Sequence, residues 1–124
     1  MNRCAKIAAL VSVAALALTA SACHSYHVDV TVENRTGAAL QELEIGYGEP
    51  IATFGANALA PGQVLHYRVQ LRGTGAFTAQ YNLINGKTVH MDGPTVSEGQ
   101  EGQLKIVLEP AGKAEFLPQL SARH

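Results

Sequence analysis

The sequence predicts an all-β fold: a small antiparallel β-sandwich, immunoglobulin-like or similar, of about six or seven strands. Three observations carry this expectation. Beyond residue 23 the apolar residues recur at every second position in short runs, the period of a strand with one buried face. Breaks rich in Gly, Pro and Asn separate those runs. No stretch beyond residue 23 carries the 3.6-residue apolar period of an amphipathic helix. Many short strands without helices bury their apolar faces by packing sheet on sheet or by closing into a barrel. True immunoglobulin domains add a Cys…Trp…Cys core. This chain has no Trp, and its two cysteines, Cys4 and Cys23, precede the strands, so the topology is left open.

The elements follow in order. Tyr26, Val28, Val30 and Val32 alternate with His27, Asp29, Thr31 and Glu33, which reads as a half-buried strand. Asn34-Arg35-Thr36-Gly37 ends it with turn chemistry. The Asn-Arg-Thr triplet also matches a glycosylation sequon and is read here as a turn. Leu43, Ile45 and Tyr47 alternate with Glu42, Glu44 and Gly46 in a second strand. Ile51 to Phe54 reads as a short strand, Gly55 to Ala60 as irregular, and Pro61-Gly62 as a turn. Leu65, Tyr67, Val69 and Leu71 are expected to face inward against His66, Arg68, Gln70 and Arg72, the clearest alternation in the chain. After Gly73-Thr74-Gly75, Phe77, Ala79, Tyr81 and Leu83 form the next inward set.

Asn85-Gly86 is a hairpin signal, and register selects its type. A two-residue loop would set Tyr81 opposite His90 and mix polar with apolar residues on each face. A three-residue loop, Ile84-Asn85-Gly86, sets Tyr81 opposite Val89 and Ala79 opposite Met91, so all four share the buried face. The expectation is a type I turn with Gly86 in the left-handed bulge position. Asp92-Gly93-Pro94 and Ser97-Glu98-Gly99 read as loops. Leu104, Ile106 and Leu108 form the last strand before Pro110, and Ala111 to His124 reads as a loose tail. The organisation expected is therefore a leader over 1–22, a tether over 23–27, the sandwich over 28–110 and a tail over 111–124.

The leader supplies the functional information. Arg3 and Lys6 precede an apolar run from Ile7 to Ala20, broken only by Ser12 and Thr19, and small residues close it. This is the layout of an export signal peptide. A helix of that length spans about 21 Å, short of the roughly 30 Å hydrocarbon core of a bilayer. Ala20-Ser21-Ala22 satisfies the small-residue rule of ordinary signal peptidase. The same residues followed by Cys23 resemble the lipobox of bacterial prolipoproteins, with Ala20 at the third position before the cysteine. That resemblance covers the leader only. It implies acylation of Cys23 by diacylglycerol, cleavage before it and further acylation with a palmitate-type chain on the new amino terminus. It also implies a stable anchor, because several chains exceed the marginal binding of one. His24 in place of the Asp that usually retains lipoproteins at the inner membrane implies the outer membrane, facing the periplasm. The alternative is a soluble periplasmic or secreted domain.

Cysteine counting agrees with lipidation. Cys4 leaves with the leader, so Cys23 is the sole thiol of the exported chain, and a lone exported cysteine at a cut site is best explained by chemical use. Charge excludes other partners. The whole chain carries −1; removing Arg3 and Lys6 leaves −3, with no basic run, which argues against nucleic acid and against electrostatic attraction to anionic lipid.

Candidate chemistry beyond the anchor is sparse. His66, His90 and Met91 could hold copper or zinc in an exported protein, but outward histidines on a sheet are ordinarily solvated. His24 and His27 lack a third preformed ligand once Cys23 is acylated. His90, Asp92 and Ser97 are close in sequence, and none of Ser25, Ser97 and Ser121 sits in a Gly-x-Ser-x-Gly elbow. Glu42 and Glu44 share a strand face about 7 Å apart and more plausibly keep a surface strand soluble than act as an acid–base pair. Arg68, Arg72, His66 and Gln70 form a polar stripe that could meet an acidic partner or glycan. No cofactor motif is present. The function expected is that of a non-enzymatic, lipid-anchored envelope protein with a structural or binding role toward an envelope protein or polymer. The alternative is a periplasmic metal-binding module.

Overall fold

The computed structural model describes residues 26–122. Eight strands form two four-stranded sheets packed as a small sandwich: β1 (Val28–Asn34), β2 (Leu40–Tyr47), β3 (Ala52–Leu59), β4 (Val64–Val69), β5 (Thr74–Asn82), β6 (Thr88–Ser97), β7 (Gln100–Glu109) and β8 (Lys113–Ala122). A single 3-10 turn, Pro110–Gly112, joins β7 to β8. One sheet has the order β4-β1-β7-β8 and the other β3-β2-β5-β6. All pairs are antiparallel except β1 with β7. The chain enters the fold where β1 begins. The β2–β3, β4–β5 and β6–β7 connections lie at that same end, because strand directions alternate. The β1–β2, β3–β4, β5–β6 and β7–β8 connections gather at the opposite end.

The alternation read from the sequence builds the core. Val28, Val30 and Val32 of β1 and Leu104, Ile106 and Leu108 of β7 are at most 1% exposed and face Ile45, Phe77, Ala79 and Tyr81 of the other sheet. Each such side chain contributes about 1.5–3 kcal/mol of transfer free energy. Two bulges keep that pattern in phase. In β2 an extra residue between Gln41 and Glu44 puts Glu42 at φ 50. This lets Leu40 point inward along with Leu43 and Ile45, three and then two residues on. In β6 the register against β5 shifts between Ala76 and Thr78, opposite Gly93-Pro94. Proline is tolerated there because β6 is an edge strand and the ladder is already interrupted.

The β5–β6 hairpin has the register expected from its sequence. Tyr81 opposes Val89 and Ala79 opposes Met91. The Leu83 amide donates to the Lys87 carbonyl (2.8 Å), the Gly86 amide donates to the Leu83 carbonyl (2.8 Å), and Gly86 has φ 88. A Cβ at Gly86 would meet nothing within 4 Å, so the demand for glycine is purely conformational. Gly86→Val is therefore expected to cost about 1–3 kcal/mol, the strain of a β-branched residue in the left-handed region, and to lower the melting temperature measurably.

Four expectations are corrected. Residues 113–122 are not a loose tail: they form β8, paired with β7 along its whole length from Gln100↔Ala122 to Glu109↔Lys113. The sandwich accordingly extends past residue 110. Pro118 obscured the pattern, but β8 is an edge strand, where proline's missing N–H is tolerated. Asp92-Gly93-Pro94 is the bulge inside β6 rather than a loop, and β3 continues through Gly55 to Leu59. At Gly55 a Cβ would lie 1.8 Å from the Leu43 carbonyl oxygen, so only glycine lets these backbones meet. Finally, β4 ends at Val69, and Tyr67 is 49% exposed rather than turned into the core. Its ring covers Phe54 of β3 (centroids 4.4 Å apart, 5° between planes) at the outer end of a row running through Tyr47 to Phe77. This aromatic row closes the β3–β4 edge of the sandwich.

Candidate functional site

The residues singled out from the sequence are not assembled into one site. Cys23 and the leader lie outside the described residues. His66 is on β4 and His90 on β6, exposed on the outer faces of opposite sheets. The Met91 side chain packs inward against the core, away from both histidines. This trio therefore cannot close around one ion, and among the described residues no group of three His, Cys, Asp or Glu side chains could hold a metal. His90 Nε2 lies 3.1 Å from Asp92 Oδ1, both exposed. Ser97, seven residues further along β6 and thus roughly 23 Å away, does not join them. Its amide donates to Gln100 Oε1 at 2.7 Å.

One member each of the acidic pair and the polar stripe is held by a neighbouring strand. Glu42 accepts a 2.7 Å bond from Asn82 Nδ2, which holds the bulged residue in place. On the outer face of the β1 sheet, Arg68 Nε pairs with Asp29 Oδ1 (2.9 Å), so the stripe is neutralised by its neighbour strand. Arg72 and Gln70 fall beyond the end of β4. Next along this face, Glu33 is bracketed by Arg35 (2.6 Å) and Lys105 (3.7 Å). The Arg35 hydrogen bond, with the charges of Arg35 and Lys105, holds its carboxyl below the ordinary 4.5. A hollow of about 620 Å³ lies between His66, Thr31, Lys105 and Leu117 on the same face.

A second cavity of the same size lies elsewhere. A cleft of about 620 Å³ opens at the end of the sandwich opposite the start of β1. Three connections build it: Thr36 and Ala38 from the β1–β2 loop, Leu83 and Lys87 to Val89 from the hairpin, and Glu109 to Gly112 from the β7–β8 turn. Tyr81 lines it together with the apolar residues Leu83, Val89, Pro110 and Ala111. Sequence reading missed this site, because Tyr81, Leu83 and Val89 carry the same signal as core residues. The one local clue is the Pro110-Ala111-Gly112 turn, where Ala111 adopts φ 66 and Gly112 φ 71.

The cleft is shaped by Asn34, the one buried polar residue among those described (0% exposed). Its Nδ2 donates to the carbonyls of Ala38 (2.8 Å) and Leu59 (3.0 Å). Its Oδ1 accepts from the Thr36 amide (3.0 Å) and the Thr36 hydroxyl (2.7 Å). The sequon asparagine is thus the centre of a turn network, with no free amide to modify. These bonds fix the Thr36–Ala38 lip against β3.

Burial raises the pKa of the Tyr81 phenol and keeps it protonated. Tyr81 is 2% exposed, and its hydroxyl has no hydrogen-bond partner among the described residues. Among the described residues no fully enclosed side-chain nitrogen or oxygen lacks a partner, so the small remaining exposure of Tyr81 includes its hydroxyl. The cavity that Tyr81 lines is this cleft. The arrangement is a mostly apolar hollow with a hydrogen-bond donor at its base and Lys87, Thr88, His90 and Glu109 around its rim.

Comparison with known proteins is informative for the fold alone. No protein-family description matches the sequence, and no curated protein matches it. One solved structure is similar: the NMR structure of a protein from Eubacterium rectale, with a TM-score of 0.52 and 10% identity. The similarity covers 75% of this chain and 89% of that one. The chain therefore shares a β-sandwich architecture with that protein.

Proposed function

We propose that this chain is a non-enzymatic, lipid-anchored protein of the bacterial cell envelope, held by acylated Cys23 and presenting a small β-sandwich for binding. The observation that carries the reading is Ala20-Ser21-Ala22-Cys23 directly after an export-type leader. The polarity of the fold supports it. From Cys23 to Val28 the backbone can span at most about 18 Å. The His27 carbonyl already accepts the Gly102 amide (3.1 Å), so the last part of that link is tied to the domain. An anchor at Cys23 keeps the end bearing β1, with the exposed Ile51, close to the bilayer. The end cleft then points away, toward the periplasm when the anchor is in the outer membrane.

Partition between detergent and aqueous phases tests this reading. Protein extracted from envelopes is expected in the detergent phase and the Cys23→Ala variant in the aqueous phase. Equal aqueous partition of both would refute the anchor and leave a soluble exported domain.

A further inference from the structure

We propose that the end cleft is a binding site for a small, uncharged, largely apolar molecule bearing a carbonyl-type hydrogen-bond acceptor, which the Tyr81 hydroxyl meets. The inference goes beyond the anchoring reading and does not depend on it. Three observations carry it. The cleft, at about 620 Å³, falls within the roughly 300–1,000 Å³ of small-molecule sites. Its walls are apolar. Tyr81 is 2% exposed, and the part of it that reaches the surface, its hydroxyl, has no acceptor among the described residues. A ligand acceptor would take the place of water on that donor, in apolar surroundings that strengthen the bond.

The rim selects charge. Lys87 and Glu109 offer one cation and one anion, so neither an anionic nor a cationic ligand gains net attraction. The other polar groups are already engaged. The Thr88 hydroxyl donates to Asn82 Oδ1 (2.8 Å), His90 contacts Asp92, and the Thr36 hydroxyl is bonded to Asn34. That leaves the Tyr81 hydroxyl as the donor at the base, suited to a single neutral acceptor.

The test uses prodan, an uncharged naphthyl ketone whose fluorescence reports both an apolar setting and hydrogen bonding to its carbonyl. It is titrated into the full chain in its Cys23→Ala form, which leaves the cleft unaltered and needs no detergent. Saturable binding with blue-shifted emission is expected. Tyr81→Phe, which removes only the hydroxyl, should weaken binding roughly three- to tenfold, the effect of one net hydrogen bond. Ala38→Trp, an exposed loop position that fills the mouth, should abolish it, with the melting temperature retained as proof of folding. Absence of saturable binding up to about a millimolar, or equal affinity for all three proteins, would overturn the proposal. Lipidation of Cys23 is untouched by either outcome.

Discussion

Replacing Asn34 by leucine is expected to lower stability by about 3 kcal/mol and the melting temperature by roughly 10–20 °C. The volume change is small; the loss is in hydrogen bonding. Asn34 satisfies the carbonyls of Ala38 and Leu59 and the amide and hydroxyl of Thr36, all at 2.7–3.0 Å. Leucine leaves these groups facing an apolar side chain, and each buried group without a partner costs about 1–3 kcal/mol, reduced where water can reach it. The backbone around it is equally committed. The Asn34 amide donates to Gln63, its carbonyl accepts from Gly62, and the Arg35 amide donates to Leu108. The loss should therefore be felt across the whole cleft end.

Asn34→Asp separates chemistry from shape. The new carboxyl can still accept from Thr36 but has no donor for the two carbonyls. Those carbonyls oppose its ionised form, so its folded pKa lies above the unfolded value. The variant should regain relative stability as pH falls through that folded pKa, because the protonated carboxyl can donate to one carbonyl. Thermal melts at pH 7 and near pH 4 check this. A pH-independent difference from the unaltered protein would contradict the proposed network.

Truncation after Gly112 should prevent folding altogether. As a true tail, residues 113–124 could be removed without effect. As β8, the segment pairs with β7 over ten positions, and Ala114, Phe116 and Leu120 pack against the core. Phe116 stands over β6, where a Cβ on Gly93 would lie 2.6 Å from its ring. Burial of Phe116 and Leu120 is worth several kcal/mol by itself. Removing them also strips the ladder partner from β7, whose Leu104, Ile106 and Leu108 sit at the heart of the core. A domain of this size has only about 5–15 kcal/mol in total to lose. Circular dichroism of the truncated chain should show no cooperative melt. A sharp melt within a few degrees of the full chain would contradict the placement of β8.

What could be read from the sequence follows from how local each signal is. Period-two alternation is local, so β1, β2, β5 and β7 and their buried faces were legible. So was the hairpin register, because only a three-residue loop puts Tyr81, Val89, Ala79 and Met91 on one face. Features that depend on a neighbouring strand were not. Gly55 and Pro118 read as breakers, but each is accommodated by its strand partner or by its edge position. The second strand was legible only from Glu42 onward, because a bulge lets Gln41 and Glu42 both face outward and brings Leu40 into the core. Tyr67 kept the right period but lies on an edge strand, where one side of the ring remains in water. The cleft was invisible for the same reason. Its residues come from three connections, and only the fold brings Tyr81, Ala38 and Ala111 together. Conversely, His66, His90 and Met91 have the composition of a metal site and fail as one because the core lies between the two histidine-bearing faces.

Intact mass of the protein isolated from cell-envelope membranes, read beside the Cys23→Ala variant, tests the central claim most directly. The account predicts a chain beginning at Cys23 whose mass exceeds that of residues 23–124 by a diacylglyceryl group and one further acyl chain, with both additions absent from the variant. An unmodified chain beginning at Cys23, or one that retains residues 1–22, would contradict it.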